Sequence, residues 1–509
     1  MRQGLLALGI ATLAGLAVYA SQPPLRWWPA VFLAPALLLV SIRLEPERAG
    51  LLGLTTGLAA YLPMLLWLIE PAGFLAWLLL SLVQSLFLVV AAVVTRPFLG
   101  SRWIVLVAPI VWVGADAWRN LVPLGGFGWG ALAYAHVEGS WMLPAARVVG
   151  QHGLTLLTVA VGALAYDIWR TATETRVRGV GGFAKLQPTF VILVAVLLLS
   201  VAVTVEPPPA EERADVLVVQ GNDDPERART GPAEDRRIAS NMVGLTTAEV
   251  AEHGMPDLTV WPESSIDRDP YSPSGADLRP LLEEGAAAVE GGLLVGANLE
   301  GPRPATFRNA VLQVASDGQA VDRYVKRHPV PFGEFVPWRS VLGDFGPLRQ
   351  IPRDGVPGNG PQPISVDGVD VASVICFESL FPHLVRENVR GADADLIVVA
   401  TNDASFGVSA EPAQHLAQSR LRAVETGRWV VHASLSGSSA FVDPNGGVHD
   451  RTGLFELATI RRDLPLVSGS TPFLTLGDVV GFAARFALLA LLVVVLIRAR
   501  RRSSRGDRP

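Results

Sequence analysis

The chain has 509 residues, of which 50% are hydrophobic and 17% are charged. This apolar content is too high for an ordinary soluble protein of this length and indicates a membrane protein. The formal net charge of −5 gives no reason to expect nucleic acid as a partner, and the single cysteine, Cys376, excludes an internal disulfide framework and cysteine-rich zinc sites.

Apolar runs near the length of a bilayer span are concentrated at the two ends of the sequence. They cover residues 5–20, 28–42, 51–69, 74–94, 103–118, 154–169, 190–205 and 479–497. We therefore predict a polytopic α-helical membrane domain with seven transmembrane helices over residues 1–205, and an eighth transmembrane helix over residues 477–498. The first run could be mistaken for a cleavable signal peptide, but the spans that follow favour a retained helix.

The distribution of lysine and arginine predicts the orientation of these spans. Basic residues lie at position 2, at 43 and 48, at 96 and 102, between 170 and 185, and after 497. Because these are alternate loops, the positive-inside rule places both termini in the cytoplasm. Residues 499–509 would then form a basic cytoplasmic tail, and residues 206–476 an extracytoplasmic domain.

Residues 206–476 have the pattern of a water-exposed domain, in which short β-branched runs alternate with polar, alanine-rich stretches. The predicted strands cover residues 215–220, 258–261, 292–297, 310–315, 369–375, 395–401, 429–434 and 439–442. A helix is predicted over residues 413–425, with Gly427 placed to end it. Alternating strands and helices predict an α/β layered domain.

Reactive side chains stand at or just beyond these strands. Cys376 follows the strand 369–375, Glu263 follows the strand 258–261, and Lys326 and Glu334 lie in a loop rich in proline and glycine. A lone cysteine at the end of an apolar strand is often only a small core side chain. Together, however, these groups suit acyl transfer through a thioester: a carboxylate takes the thiol proton, and an ammonium lowers the cysteine pKa and stabilises the oxyanion.

Several motifs resemble those of a known superfamily. Trp261-Pro-Glu263, Lys326 with Pro331-Phe-Gly-Glu334, and Ile375-Cys-Phe-Glu378 resemble the Glu-Lys-Cys signature of the nitrilase superfamily. The wider set resembles the apolipoprotein N-acyltransferase family over nearly the whole chain; it adds Val219-Gln-Gly-Asn222, Val330 to Pro337, Thr401-Asn-Asp403 and Arg420 to Gly427. The resemblance implies a nitrilase-like αββα sandwich for the extracytoplasmic domain.

The resemblance also implies a role for each member of the signature. Cys376 would be the nucleophile, Glu263 the general base and Lys326 the stabiliser of the oxyanion. No metal or cofactor site is predicted.

Three further residues would support this triad, and two positions differ from the family pattern in a way that concerns the substrate. Glu334 and Glu378 would orient Lys326 and the thioester, while Phe377 stands where many members have tyrosine and would keep an aromatic wall without a hydroxyl. Ser405 stands where the family commonly has tryptophan, and a tryptophan found near Asn222 in some members is absent. These departures concern substrate preference and rate more than the thioester chemistry.

The implied reaction moves a fatty acyl group from a phospholipid, by way of an acyl-enzyme thioester, to the α-amine of a lipoprotein's N-terminal S-diacylglyceryl-cysteine. Both substrates are anchored in the outer leaflet of the bacterial inner membrane, which suits a multi-pass protein with its catalytic domain outside. Two alternatives stay open. One is a membrane-tethered nitrilase-like amidase that acts on small soluble substrates; the other is a divergent, non-catalytic paralogue.

Overall fold

The computed structural model describes residues 2–178, 206–223, 231–343, 348–349 and 351–506. The chain divides into two compact units. The helical unit comprises Met1–Val205 with Leu476–Pro509, and the sheet unit comprises Glu206–Thr475. The first division falls where the sequence pattern changes from apolar runs to a strand–helix alternation.

Within the described residues, the helical unit consists of apolar helices connected by turns, by short 3-10 helices and by one long segment, residues 120–145. Its helices are α1 (Arg2–Ala20), α2 (Leu33–Leu44), α3 (Ala49–Met64), α4 (Ile69–Thr95), α5 (Ile104–Arg119), α6 (Ala146–Arg178) and the C-terminal helix (Val479–Gly506). Small residues allow close packing: a Cβ added at Gly15 would lie 2.1 Å from the carbonyl oxygen of Thr56, and one at Gly114 would lie 2.6 Å from that of Ala484. Close backbone approach at small residues is typical of helices packed within a bilayer.

Within the described residues, four helical segments are long and apolar enough to cross a membrane: Arg2–Ala20, Leu66–Phe98, Leu143–Glu174 and Val479–Arg498. The pair Trp28–Leu44 and Pro46–Met64, bent by 118°, would add a fifth if it forms one span. Helix α5 has 16 residues, and at about 1.5 Å per residue it is shorter than the ~30 Å hydrocarbon core. The predicted span 190–205 lies outside the described residues, so the total of eight spans stays a prediction.

The sheet unit contains two β-sheets. Its strands are β1 (Ala210–Gln220), β2 (Leu258–Ile266), β3 (Leu293–Glu300), β4 (Thr306–Val314), β5 (Ala320–Val325), β6 (Asp354–Gly355), β7 (Ile364–Val366), β8 (Val369–Ile375), β9 (Leu396–Thr401), β10 (Trp429–Ser434), β11 (Ala440–Val442), β12 (Val448–His449) and β13 (Ala458–Val467). The first sheet has the order β13-β1-β2-β3-β4-β5, with β6 beside β4. The second has the order β12-β11-β10-β9-β8-β7.

Helices cover the outer faces of both sheets. They are α7 (Pro232–His253), α8 (Arg279–Ala288), α9 (Arg339–Leu342), α10 (Pro382–Ala392), α11 (Glu411–Thr426) and α12 (Pro472–Leu476). Apolar side chains of both sheets form one buried core, including Val260 and Val371. On the outer faces, α7 and α8 pack on the first sheet through residues such as Leu282, and α10 and α11 pack on the second through residues such as Val385 and Leu416. These four layers confirm the predicted αββα sandwich.

The topology brings several strand ends to one edge. Strands β1, β2 and β3 are parallel in the first sheet, and β8, β9 and β10 are parallel in the second. Strand β5 runs in the same direction as β3, because each is antiparallel to β4. Sites in α/β proteins form at the carboxyl ends of such strands. Cys376 and Lys326 directly follow β8 and β5, and Glu263 lies in the carboxyl-terminal half of β2.

Candidate active site

Cys376 lies in the turn that directly follows β8, and its side chain is half-buried. Its φ is +48°, in the left-handed region, which costs a non-glycine residue about 1–2 kcal/mol. Such strain persists only where the surroundings hold the backbone, and it is common at active sites. The turn Cys376–Leu380 therefore fixes the thiol in a sharply defined position after the strand.

Glu378 lies fully buried under this turn and accepts four hydrogen bonds. Its Oε2 accepts from the Ile375 N–H and from the Tyr324 hydroxyl, each at 2.9 Å. Its Oε1 accepts from the N–H groups of Arg327 at 2.7 Å and His328 at 3.1 Å. Burial raises the pKa of Glu378, and these hydrogen bonds oppose that rise. The carboxylate thus ties the nucleophile's turn to the segment after β5 through backbone contacts on both sides.

Lys326 directly follows β5 and is 2% exposed. Its Nζ lies 3.2 Å from Oε1 of Glu263 and 3.0 Å from the carboxylate of Glu334. Burial by itself would lower the pKa of Lys326, but the charges of Glu263 and Glu334 raise it above its ordinary value. The side chain is therefore a permanently charged ammonium held between two carboxylates.

Asn309, on β4, bridges the same two carboxylates. Its Nδ2 donates to Oε1 of Glu263 at 2.5 Å and to Oε1 of Glu334 at 2.8 Å. Glu334 also accepts from the Val330 N–H at 2.7 Å, which fixes its loop. Neighbouring carboxylates repel each other unless donors stand between them. Asn309 and Lys326 donate to both carboxylates and therefore keep the pair in place.

Glu263 lies at the end of β2, where the register against β3 shifts between Trp261 and Ile266. Irregularities of this kind re-aim a side chain near an active site. One carboxylate oxygen, Oε1, faces Lys326, while Oε2 accepts from the Asn402 N–H at 2.9 Å. The predicted base is thus held by groups from both sheets.

The thiol of Cys376 is affected by the charges of the other two triad members. Burial raises the pKa of the thiol well above its ordinary value, Glu263 raises it further, and Lys326 and hydrogen bonding with Thr401 lower it. The ammonium of Lys326 thus lowers the thiol pKa, as predicted, but burial and the carboxylate outweigh it. A base must therefore remove the thiol proton as the sulfur attacks.

Phe377 is buried in a cluster of three aromatic rings. Its ring centroid lies 5.7 Å from that of His328 and 5.2 Å from that of Phe381. The rings of His328 and Phe381 are themselves 4.3 Å apart. Phenylalanine therefore supplies packing next to the nucleophile without needing a partner for a hydroxyl group.

Among the described residues, Asp403, His415 and His432 form a buried group whose ligand atoms lie within 4.8 Å of one another. Two histidines and a carboxylate could hold a divalent cation. However, His415 Nδ1 already lies 3.3 Å from Asp403 Oδ1, and the Thr401 hydroxyl donates to the same oxygen at 2.9 Å. A metal would have to displace these contacts, so we interpret the group as a hydrogen-bonded network.

Two residues of this site were missed by the sequence reasoning. Asn309 directly precedes the apolar run 310–312 of β4, and His415 is buried in the correctly predicted helix α11. Buried polar side chains need partners, but the burial of these two residues follows only from the packing of the fold.

Replacing Asn309 with alanine is expected to slow acyl transfer about 10- to 100-fold, because displaced catalytic groups lose rate steeply with distance. The matched control is Asn298→Ala. Asn298 lies directly opposite Asn309 in the β3–β4 ladder and donates to Asp267 at 2.5 Å. The rate constant of enzyme acylation in both variants checks this, and equal losses at the two positions would contradict a specific role for Asn309.

A thiol, a carboxylate and an ammonium at one edge of an αββα sandwich are the arrangement of the nitrilase superfamily. Residues 240–470 match the family model described as carbon-nitrogen hydrolase. Residues 14–164 match the model described as the apolipoprotein N-acyltransferase N-terminal domain.

Relatives match both parts together. The chain is 29% identical to the apolipoprotein N-acyltransferase of Geobacter metallireducens, over 97% of this chain and 95% of that protein. It is 32% identical to the apolipoprotein N-acyltransferase of Gloeobacter violaceus, over 96% of this chain and 93% of that protein. The chain belongs to the apolipoprotein N-acyltransferase family, and it is therefore an acyltransferase of lipoprotein biosynthesis.

Proposed function

We propose that the protein transfers a fatty acyl group from a phospholipid to the α-amine of a lipoprotein's N-terminal S-diacylglyceryl-cysteine, through a thioester on Cys376. One observation carries this proposal: the chain's only thiol lies where the charges of Glu263 and Lys326 both reach it. Those three groups are sufficient for two successive acyl transfers without a metal or cofactor. The apolar helices of the helical unit suit substrates that are themselves held in a membrane.

In the first half-reaction, Glu263 takes the thiol proton while sulfur attacks the ester carbonyl of the phospholipid. A carbon–sulfur bond forms, and the ammonium of Lys326 stabilises the oxyanion. When the carbon–oxygen bond breaks, protonated Glu263 gives its proton to the departing lysophospholipid oxygen. The raised pKa of Cys376 makes this base indispensable, because little thiolate exists before the donor binds.

In the second half-reaction, Glu263 removes a proton from the incoming ammonium of the lipoprotein. The free amine attacks the thioester, a carbon–nitrogen bond forms, and Lys326 again stabilises the oxyanion. Glu263 passes the first proton to water, takes a second proton from the nitrogen of the adduct, and gives this proton to the sulfur as the carbon–sulfur bond breaks. Glu334 and Asn309 take no part in these bond changes, since their expected role is to hold Lys326 and Glu263 in position.

The proposed place of the reaction is the outer leaflet of a bacterial inner membrane, with both termini in the cytoplasm. A reporter enzyme that is active only outside the cytoplasm should be active when fused at Gly355, in β6, and silent when fused after Arg508. The physical reason is the alternation of basic loops along the sequence. The opposite pattern would contradict the orientation and would remove the sheet unit from its proposed substrates.

The experiment that tests the whole function compares lipoprotein N-terminal peptides from cells with and without the protein. Mass spectrometry should show one additional acyl group, amide-linked to the first cysteine, only when the protein is present. Peptides of equal mass in both strains would contradict the proposal. Hydrolysis of small soluble amides by the purified protein, without acyl transfer to lipoprotein, would favour the amidase alternative instead.

A further inference from the structure

A buried polar network lies directly behind the nucleophile's turn, and the reaction described above does not use it. His415, on α11, places Nε2 3.1 Å from the carbonyl oxygen of Cys376 and 3.1 Å from Oγ of Ser379. The Ser379 hydroxyl donates to Gln418 at 2.9 Å, so its oxygen accepts from His415. The imidazole therefore donates to the strained residue itself and to the turn that follows it.

The other ring nitrogen of His415 reaches Asp403. Nδ1 lies 3.3 Å from Asp403 Oδ1, and Oδ2 of Asp403 accepts from the Ser434 hydroxyl at 3.1 Å. Asp403 directly follows Asn402, whose N–H donates to Glu263 at 2.9 Å. One buried carboxylate is thus linked to the backbone of the nucleophile on one side and to the segment that holds the base on the other.

Both ring nitrogens of His415 face oxygen atoms of this network: Nε2 faces the carbonyl oxygen of Cys376, and Nδ1 faces Oδ1 of Asp403. Burial alone would raise the pKa of Asp403, but the hydrogen bond and the charge of His415 lower it below its ordinary value. Burial and the charge of His415 lower the pKa of His432 to about 3, while burial and the charge of Asp403 raise that of Glu411 well above its ordinary value. The hydrogen-bonded pair of Asp403 and His415 is therefore the part of the network that contacts the nucleophile's turn.

We propose that the hydrogen-bonded pair of Asp403 and His415 is a positioning device, which fixes the left-handed backbone of Cys376 relative to Glu263. This proposal rests on the proposed function, in which Cys376 is the nucleophile. The hydrogen bond from Nε2 holds the carbonyl group of a residue whose φ is +48°. Without it, the turn can relax and move the thiol away from the carboxylate that must take its proton. Displacements of about 1 Å can cost roughly 100-fold in rate.

Two substitutions test the hydrogen bond to the turn. His415→Leu removes the donor. In His415→Gln the side-chain amide can still donate to the Cys376 carbonyl group. His432→Gln is the matched control, because His432 lies in the same buried network, 5.1 Å from the ring of His415, and its Nδ1 pairs with Ser419 at 2.9 Å instead of the turn.

Single-turnover acylation with p-nitrophenyl butyrate is measured for the full-length protein in detergent, together with alkylation of the only cysteine by iodoacetamide. We expect the acylation rate constant of His415→Leu to be about 100-fold below that of the wild type. The rate constant of His415→Gln should be at least tenfold above that of His415→Leu, and that of His432→Gln should stay near wild type. Alkylation is run at alkaline pH and should be similar in all four proteins, because iodoacetamide then reacts with thiolate formed without Glu263 and needs only access to the sulfur. A wild-type protein that accepts this ester but fails with phospholipid and lipoprotein would contradict the proposed function while leaving the positioning test valid.

Five results would overturn the positioning role. His415→Gln could be as slow as His415→Leu, or the His432→Gln control could lose as much rate. Alkylation could fall in parallel with acylation, or neither His415 variant could be purified in a folded state, and the network would then serve the fold alone. A stoichiometric metal in the wild-type protein that His415→Gln lacks would replace the hydrogen-bonded pair with a metal site.

Discussion

Replacing Cys376 with serine is expected to abolish acyl-enzyme formation completely. Incubated with phospholipid, the wild-type protein should gain one acyl mass that neutral hydroxylamine removes, since the adduct is a thioester. The thiol of Cys376 already has a raised pKa, and a serine hydroxyl is a far weaker acid than any thiol. Glu263 can therefore deprotonate a thiol in this site, but it is too weak a base to ionise an alcohol.

Intact-protein mass spectrometry checks this result, because the chain has one cysteine and any thioester must form there. An acyl mass on the serine variant that resists hydroxylamine would show an oxygen ester and would contradict a requirement for sulfur. An acyl mass that hydroxylamine still removes would place the label elsewhere and would exclude the proposed nucleophile.

Replacing Lys326 with methionine should slow both half-reactions, by roughly 100- to 1,000-fold, because each passes through an oxyanion that the ammonium stabilises. Replacing Glu263 with glutamine should cost about 100- to 10,000-fold in each, because each needs the base. Arg327→Met is the matched control. Arg327 is adjacent to Lys326, but its guanidinium pairs with Glu387 at 2.6 Å and reaches Asn388 at 3.2 Å.

Measuring acylation by phospholipid and release by lipoprotein peptide separately distinguishes the roles of these residues. A Lys326→Met protein with near-normal rates in both steps would mean that Arg327 or backbone amides hold the oxyanion. A Glu263→Gln protein that releases the acyl group at a normal rate would mean that another group deprotonates the amine. Normal rates are expected only for Arg327→Met.

The sandwich could be predicted because its central strands are apolar on both faces. Strands β8, β9 and β10 are buried almost throughout, so they appear in the sequence as continuous β-branched runs. Strand β13 was missed because it lies at the edge of its sheet and carries Arg461 and Arg462, which pair with Asp215 and Asp450. Charged residues on an edge strand remove the pattern by which strands are recognised.

Within the site, the motifs identified the reactive residues but not their pKa shifts or their hydrogen-bond partners. The net direction of the Cys376 pKa depends on burial, which exists only after both sheets have packed. The role of Glu378 depends on backbone N–H groups of a segment some fifty residues earlier in the chain. Asn309 and His415 belong to no quoted motif, and only the folded chain brings them to the triad.

The raised pKa of Cys376 also affects how readily the enzyme is oxidised. Oxidants such as hydrogen peroxide attack the thiolate far faster than the thiol, and further oxidation beyond the sulfenic acid is irreversible. The chain has no second cysteine that could capture a sulfenic acid as a disulfide. A sulfenic acid at this position therefore could not be recovered as a disulfide within the molecule. The raised pKa of the thiol favours the protonated form, which peroxide attacks most slowly.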